Sequence, residues 1–210
     1  MTSLVSKAQI TTLYDNTGHN LNTRYHSTAE FGDQIVLGQP TGVATDFAFE
    51  YYGLNFTGGE QIRIRFYNND GPEVLSGAPG DSALAPGATA FYDSGLQNIA
   101  AAPDGAVGAI TLPGVVVPNT FTWSVEFAGV TGTKEAGLDI YSPPIVGDNF
   151  DDYWERGAGG AWELRAASDG TPVSFGAKLT TVPEPGTFAL LGLGGLVACA
   201  FSSLRGSKRS

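Results

Sequence analysis

The densest group of chemistry-bearing side chains is the run GDNFDDYWERG. There Asp148, Asp151, Asp152 and Glu155 crowd around Tyr153 and Trp154. A glycosidase needs two carboxyl groups facing one another across a cleft, one of them held protonated. A calcium site needs several carboxylate and carbonyl oxygens around one ion. A sugar-contact surface needs flat aromatic faces beside hydrogen-bonding groups. All three chemistries suit these six residues, and so does a solvated acidic loop whose Tyr and Trp seal the edge of a sheet. Elsewhere the chemistry is thin. His19 and His26 stand seven residues apart, outside any HExxH or His-x-His spacing. There is no GxSxG elbow, P-loop or GxGxxG stretch. Asn68 to Glu73, NNDGPE, is half of a calcium loop and reads better as a strand-ending turn. The one cysteine, Cys199, excludes an intramolecular disulfide or a cysteine metal cluster.

Charge narrows the partners. Residues 1–204 carry 8 basic side chains against 21 acidic ones, a net charge of −13. Such a body repels nucleic acid, whose binding depends on neutralising phosphates with Lys and Arg, so no nucleic-acid partner is expected. Cations and polysaccharide fit it better. Calcium is the cofactor to consider, and no other is called for.

The elements that position these side chains read as short strands. In Gln61–Tyr67, Ile62, Ile64 and Phe66 face one way while Arg63, Arg65 and Tyr67 face the other, the period-2 pattern of a half-buried antiparallel strand. Similar runs are Ile10–Tyr14, Ile35–Leu37, Thr45–Tyr52, Thr89–Asp93, Ala106–Leu112, Phe121–Phe127, Leu138–Tyr141, Trp162–Ala166 and Val173–Thr180. Turn residues separate them, among them Pro103-Asp104-Gly105, Pro113-Gly114 and Asp169-Gly170. No stretch of the body keeps a 3.6-residue apolar period over three turns. The pattern predicts an all-β, antiparallel β-sandwich, jelly-roll-like, over residues 1–180.

The end of the chain follows different rules. Pro183-Glu184-Pro185 is extended by its prolines. Residues 187–204 are apolar and glycine-rich, and as a helix they cover about 27 Å, close to the ~30 Å of a hydrocarbon core. Arg205, Lys208 and Arg209 follow, as expected for a membrane stop in the basic tail 205–210. This predicts a single C-terminal transmembrane helix. Met1–Gln9 holds no continuous apolar stretch of the kind that opens a secretory signal, so a start upstream of Met1 is expected.

These three parts, in this order over residues 181–210, resemble the PEP-CTERM sorting signal of exported bacterial proteins, a segment also described as an ice-binding protein C-terminal domain. The resemblance implies an exosortase-type sorting enzyme as partner, with Pro183, Glu184 and Pro185 recognised. It also implies a temporary membrane span, then delivery to the cell surface or outside the cell. The segments DFAFEYYGLNF, IRIRFYNNDGP, FTWSVEFAGV and DNFDDYWERG resemble sandwich-like domains found ahead of such tails. The resulting expectation is a non-enzymatic structural or exopolysaccharide-associated protein. A glycan-active hydrolase working through the acids near Asp148–Glu155 and a calcium-stabilised adhesive module are the alternatives.

Overall fold

The computed structural model describes residues 10–75 and 82–181. Pro183, Glu184, Pro185, the expected span 187–204 and the basic tail lie outside the described residues. Among the described residues no helix is long and apolar enough to cross a membrane. What they form is strand after strand: β1 Thr11–Asp15, β2 Asn20–His26, β3 Phe31–Leu54, β4 Gln61–Tyr67, β5 Glu73–Leu75, β6 Ser82–Leu84, β7 Tyr92–Asp93, β8 Gln97–Asn98, β9 Ala102–Ala128, β10 Glu135–Tyr141, β11 Asp148–Asn149, β12 Tyr153–Arg156, β13 Trp162–Arg165 and β14 Ala177–Thr181.

Two of these strands are far longer than the sequence pattern suggests. β3 runs for 24 residues and β9 for 27. They pair antiparallel along almost their whole length. The turn signals expected to end strands here are bulges instead. Thr45 of β3 faces Leu112, Pro113 and Gly114 of β9, and Tyr52 faces Pro103, Asp104 and Gly105. Gly114 at φ 78° and Gly105 at φ 92° take the left-handed conformations that such bulges need. In a third irregularity, Leu37 to Pro40 of β3 face Asn119 alone. The Asn119 amide donates to the carbonyls of Leu37 and Gln39, both at 3.2 Å, replacing the missing ladder bonds.

The bulges let the ribbon fold over. Trp123 stands opposite Asp33 in the ladder, and a straight ribbon would put Phe47 about 46 Å from that rung. The Phe47 and Trp123 rings instead meet edge to face, with centroids 5.1 Å apart. The two halves of one ribbon thus close on a shared core and give a sandwich-like, all-β body. Fully buried Phe31, Phe47, Phe66, Phe121, Trp123 and Phe175 knit that core through edge-on and tilted ring contacts.

The remaining strands attach to the ribbon. β14, β10, β11 and β12 all pair antiparallel with β3, and β4 pairs with β9. β12 and β13 form a hairpin, and a second apolar cluster of Tyr67, Ala85, Trp154, Trp162 and Leu164 sits outside the main core. It covers the Tyr67 side of β4, which the alternating pattern assigns to solvent.

One buried acid joins these pieces. Glu30, at the entrance to β3, accepts from Tyr67 Oη at 2.9 Å and from Ser124 Oγ at 2.6 Å. Its other oxygen meets Arg65 of β4 at 2.7 Å and Arg156 of β12 at 3.4 Å. Burial, and then the Glu30 carboxylate, push the Tyr67 hydroxyl up to about 12, which keeps it a donor. The hub therefore ties β3, β4, β9 and β12 at one point. Glu30→Ala removes the acceptor and leaves the mostly buried Arg65 with only the more exposed of its two carboxylates at 2.7 Å, Glu126. The expected loss is about 3–5 kcal/mol of unfolding free energy, read by urea denaturation; a loss below about 1 kcal/mol would show that the hub contributes little.

Candidate functional site

The acidic run lies along the first half of β3. β11 places Asp148 opposite Val36, and β12 places Trp154 opposite Gly32. Between them the chain swings out through Phe150, Asp151 and Asp152. That excursion is pinned from behind: Ser174 Oγ donates to the Phe150 carbonyl at 3.0 Å, and Val173 N donates to the Asp151 carbonyl at 3.0 Å.

The six residues expected to act together are divided by this path. Asp148 and Asp151 are exposed and Asp152 is half-buried. All three line an open depression of about 690 Å³, shared with Phe150, Pro143 and Thr171. Tyr153, Trp154 and Glu155 belong to the packed interior. Trp154 is wholly buried, and Tyr153 packs on Tyr25 with ring centroids 4.6 Å apart. Glu155 accepts from Tyr25 Oη at 2.8 Å and lies 3.6 Å from Arg165. The aromatic faces expected to meet a ligand are therefore used to cover the sheet. Alternation along β12 and the apolar pull of two large rings explain why.

Among the described residues the exposed aromatic is Phe150, at 41 %, which the reading of the sequence did not single out. Its signal was available: it is an apolar residue caught between Asn149 and two aspartates, where strand alternation breaks. Phe150 also lines a second depression of about 480 Å³ with Gln34, Asn69, Leu84 and Pro118. Ser82 and Ala83 line both, so the two hollows adjoin one another beside the Phe150 ring. A separate groove of about 490 Å³ runs along β8 and β9, lined by Tyr51, Tyr92, Gln97, Asn98 and Ile110.

Among the described residues no three His, Cys, Asp or Glu side chains come together in a way that could hold a metal ion. His26 lies on the surface, 3.6 Å from Glu135.

Among the described residues, the acid whose pKa is raised well above the carboxylate range is Asp33, which is fully buried. Burial raises it well above the carboxylate range, and the charges of Asp152 and Asp151 add to the rise; hydrogen bonds from the Phe175 and Gln34 amides act the other way. Tyr14 feels the same field, its hydroxyl raised first by burial and then by Asp33. One Asp33 oxygen accepts from Phe175 N at 3.3 Å, and the other has no partner. The folded chain thus holds this acid protonated, whereas the unfolded chain ionises it above about pH 4. Stability contributed by the neutral form is lost as pH rises beyond that point. Asp33→Asn keeps the acceptor and removes the titration. The variant is expected to melt higher than the parent at pH 7, with the gain shrinking to nothing near pH 3 (about one unit below the ordinary carboxylate value). A parent and variant that melt together at pH 7 would show that the proton is not held there.

Residues 181–205 match the family model described as the PEP-CTERM protein-sorting motif. The match begins at the last residue of β14 and takes in Pro183, Glu184, Pro185 and Arg205, stopping short of Lys208 and Arg209. No curated protein and no solved structure matches the chain. The chain carries a PEP-CTERM sorting motif behind its all-β body, and that motif implies export to the cell envelope through an exosortase-type system.

Proposed function

We propose that this is a non-enzymatic envelope protein whose β body associates with exopolysaccharide after sorting. The observation that carries the reading is Phe150: an exposed ring between two open hollows, on a body that follows an export route. A sugar ring presents C–H groups on one face and hydroxyls around its rim. Phe150 offers the apolar plane, while Asp148, Asp151 and Asp152 offer acceptors on one side and Gln34 and Asn69 offer amides on the other.

A binding role is favoured over hydrolysis by the state of the acids. General acid catalysis asks for a protonated carboxyl that the substrate can reach. Here the carboxyl that burial keeps protonated is Asp33, sealed inside the sheet. The folded β3–β9 ribbon also supports a jelly-roll-like path for the strands, in which one long ribbon wraps around the core. In this reading residues 187–204 span the membrane while the exosortase-type enzyme acts at Pro183-Glu184-Pro185, and the body is then left at the cell surface.

The test is retention on immobilised exopolysaccharide from a producing bacterium, with reducing ends assayed in parallel. The parent chain is expected to be retained and to release no reducing ends. Phe150→Ala removes a stacking contact worth roughly 1–1.5 kcal/mol and is expected to weaken retention about tenfold. Retention of both at the same level would remove the ring from the account, and release of reducing ends would make the protein a hydrolase.

A further inference from the structure

The hollow on the Gln34 side of Phe150 contains polar atoms with no partner. Gln34 is 9 % exposed, and its Oε1 is shielded and accepts no hydrogen bond. Asn69 lines the same hollow, and its Nδ2 is shielded and donates none. Adjacent strands bring the two amides together. Gln34 stands opposite Thr122 in the β3–β9 ladder, and Tyr67, two residues before Asn69, stands opposite the same Thr122 from β4. Thr122 Oγ1 donates to Asn69 Oδ1 at 2.9 Å, which fixes the orientation of that amide and leaves its NH₂ as the spare group. The site thus holds one spare acceptor on β3 and one spare donor just beyond the end of β4, on either side of Thr122 in β9.

Each orphaned group destabilises the folded chain while it stays unpaired. A ligand removes both costs if it gives one hydroxyl hydrogen to Gln34 and one oxygen to Asn69. Two hydroxyls on adjacent carbons do this. Gln34 Oε1 is reached by rotation about its terminal amide torsion, which is broad, and Asn69 Nδ2 by a turn of its amide in which the ligand takes the place of the Thr122 bond. The rest of the hollow selects further. Its lining contains no Asp, Glu, Lys, Arg or His. Phe150 at 41 % and Leu84 at 52 % exposure supply apolar surface for the C–H face of a ring. Across Phe150, the other hollow carries three aspartates. The two sides therefore select differently, and the uncharged side offers no counter-charge to a carboxylate, sulfate or ammonium group.

We propose that this hollow is a subsite for one neutral, diol-bearing sugar unit, with Gln34 and Asn69 reading adjacent hydroxyls and Phe150 serving as the stacking plane. The inference rests on the polysaccharide reading above and names the class of sugar that this reading requires.

The experiment is calorimetric titration of the full chain with neutral mannan, galactan and β-glucan oligosaccharides. Their O-methylated counterparts and an oligouronate serve as comparisons. At least one neutral oligosaccharide is expected to bind, and O-methylation of that ligand is expected to weaken it at least about tenfold, since the donors of the diol are gone. Gln34→Leu is expected to weaken it about tenfold without lowering the melting temperature, and Asn69→Ala about tenfold with some loss of stability, because the buried Thr122 hydroxyl loses its acceptor. Equal binding of the O-methylated ligand overturns the proposal, as do folded variants that bind like the parent. Binding of the oligouronate alone overturns the subsite while leaving the polysaccharide reading intact. Failure of every polymer to bind removes both. If a variant does not fold, the native chain with the paired ligands still decides the matter.

Discussion

The pairing of β3 with β9 is the constraint on which the rest of the molecule depends. Two strands of 24 and 27 residues cannot stay straight in a body of this size, so the ladder must bend, and each bend threatens to leave buried backbone groups unpaired. The bends fall where the sequence limits that cost. Pro40, Pro103 and Pro113 lie in the irregular rungs and have no N–H to lose. Asn119 supplies its side-chain amide to two carbonyls, and Arg24 donates to the Pro103 carbonyl at 2.9 Å. Once folded over, the ribbon presents a continuous apolar interior, and the aromatic rings of its two halves close the core.

From this follows the placement of the groove. The first half of β3 has its inward face in the main core and its other face covered by the β12–β13 hairpin, which is why Phe31 to Ile35 are all buried. The buried stretch includes Asp33 and Gln34, polar residues held in a ladder that admits no shift of register without turning the whole strand over. The chain between β11 and β12 must clear this covered edge, and in doing so it turns Phe150 outward and sets Asp148, Asp151 and Asp152 around the rim. The Glu30 hub keeps β12 and β4 fixed relative to β3, so the two hollows beside Phe150 have rigid walls. A strongly acidic body with uncharged recesses among its described residues suits a role next to neutral polymer better than contact with an anionic surface.

Much of this was legible in the sequence, and the remainder fails for identifiable physical reasons. The strand Gln61–Tyr67 follows from alternation alone, with Ile62, Ile64 and Phe66 buried as expected. Tyr67 and Arg65 escape the pattern because a second layer covers their face, and alternation in one strand carries no information about what packs against its outer side. Pro113-Gly114 and Pro103-Asp104-Gly105 look like the ends of strands because a bulge and a turn use the same residues for the same dihedral angles. Whether the strand continues afterwards depends on a partner far away in the chain. The division of Asp148 to Glu155 has the same origin. The run was singled out as the richest in chemistry, yet which of its aromatics faces solvent depends on where β12 joins β3. Gln34 and Asn69 were invisible as a pair, since Thr122 alone brings them together.

The central claim is that the recess between Gln34, Asn69 and Phe150 receives a neutral sugar while the rest of the body serves as scaffold. Its most direct test is a nitrogen-15 NMR titration of the chain with the neutral oligosaccharide that binds best. The side-chain amide resonances of Asn69 and Gln34 and the backbone amide of Phe150 should move together and saturate at one concentration, while those of Gln97 and Asn98 in the separate groove stay still. Shifts confined to Gln97 and Asn98, with the Asn69 and Gln34 amides unchanged at saturation, would contradict it.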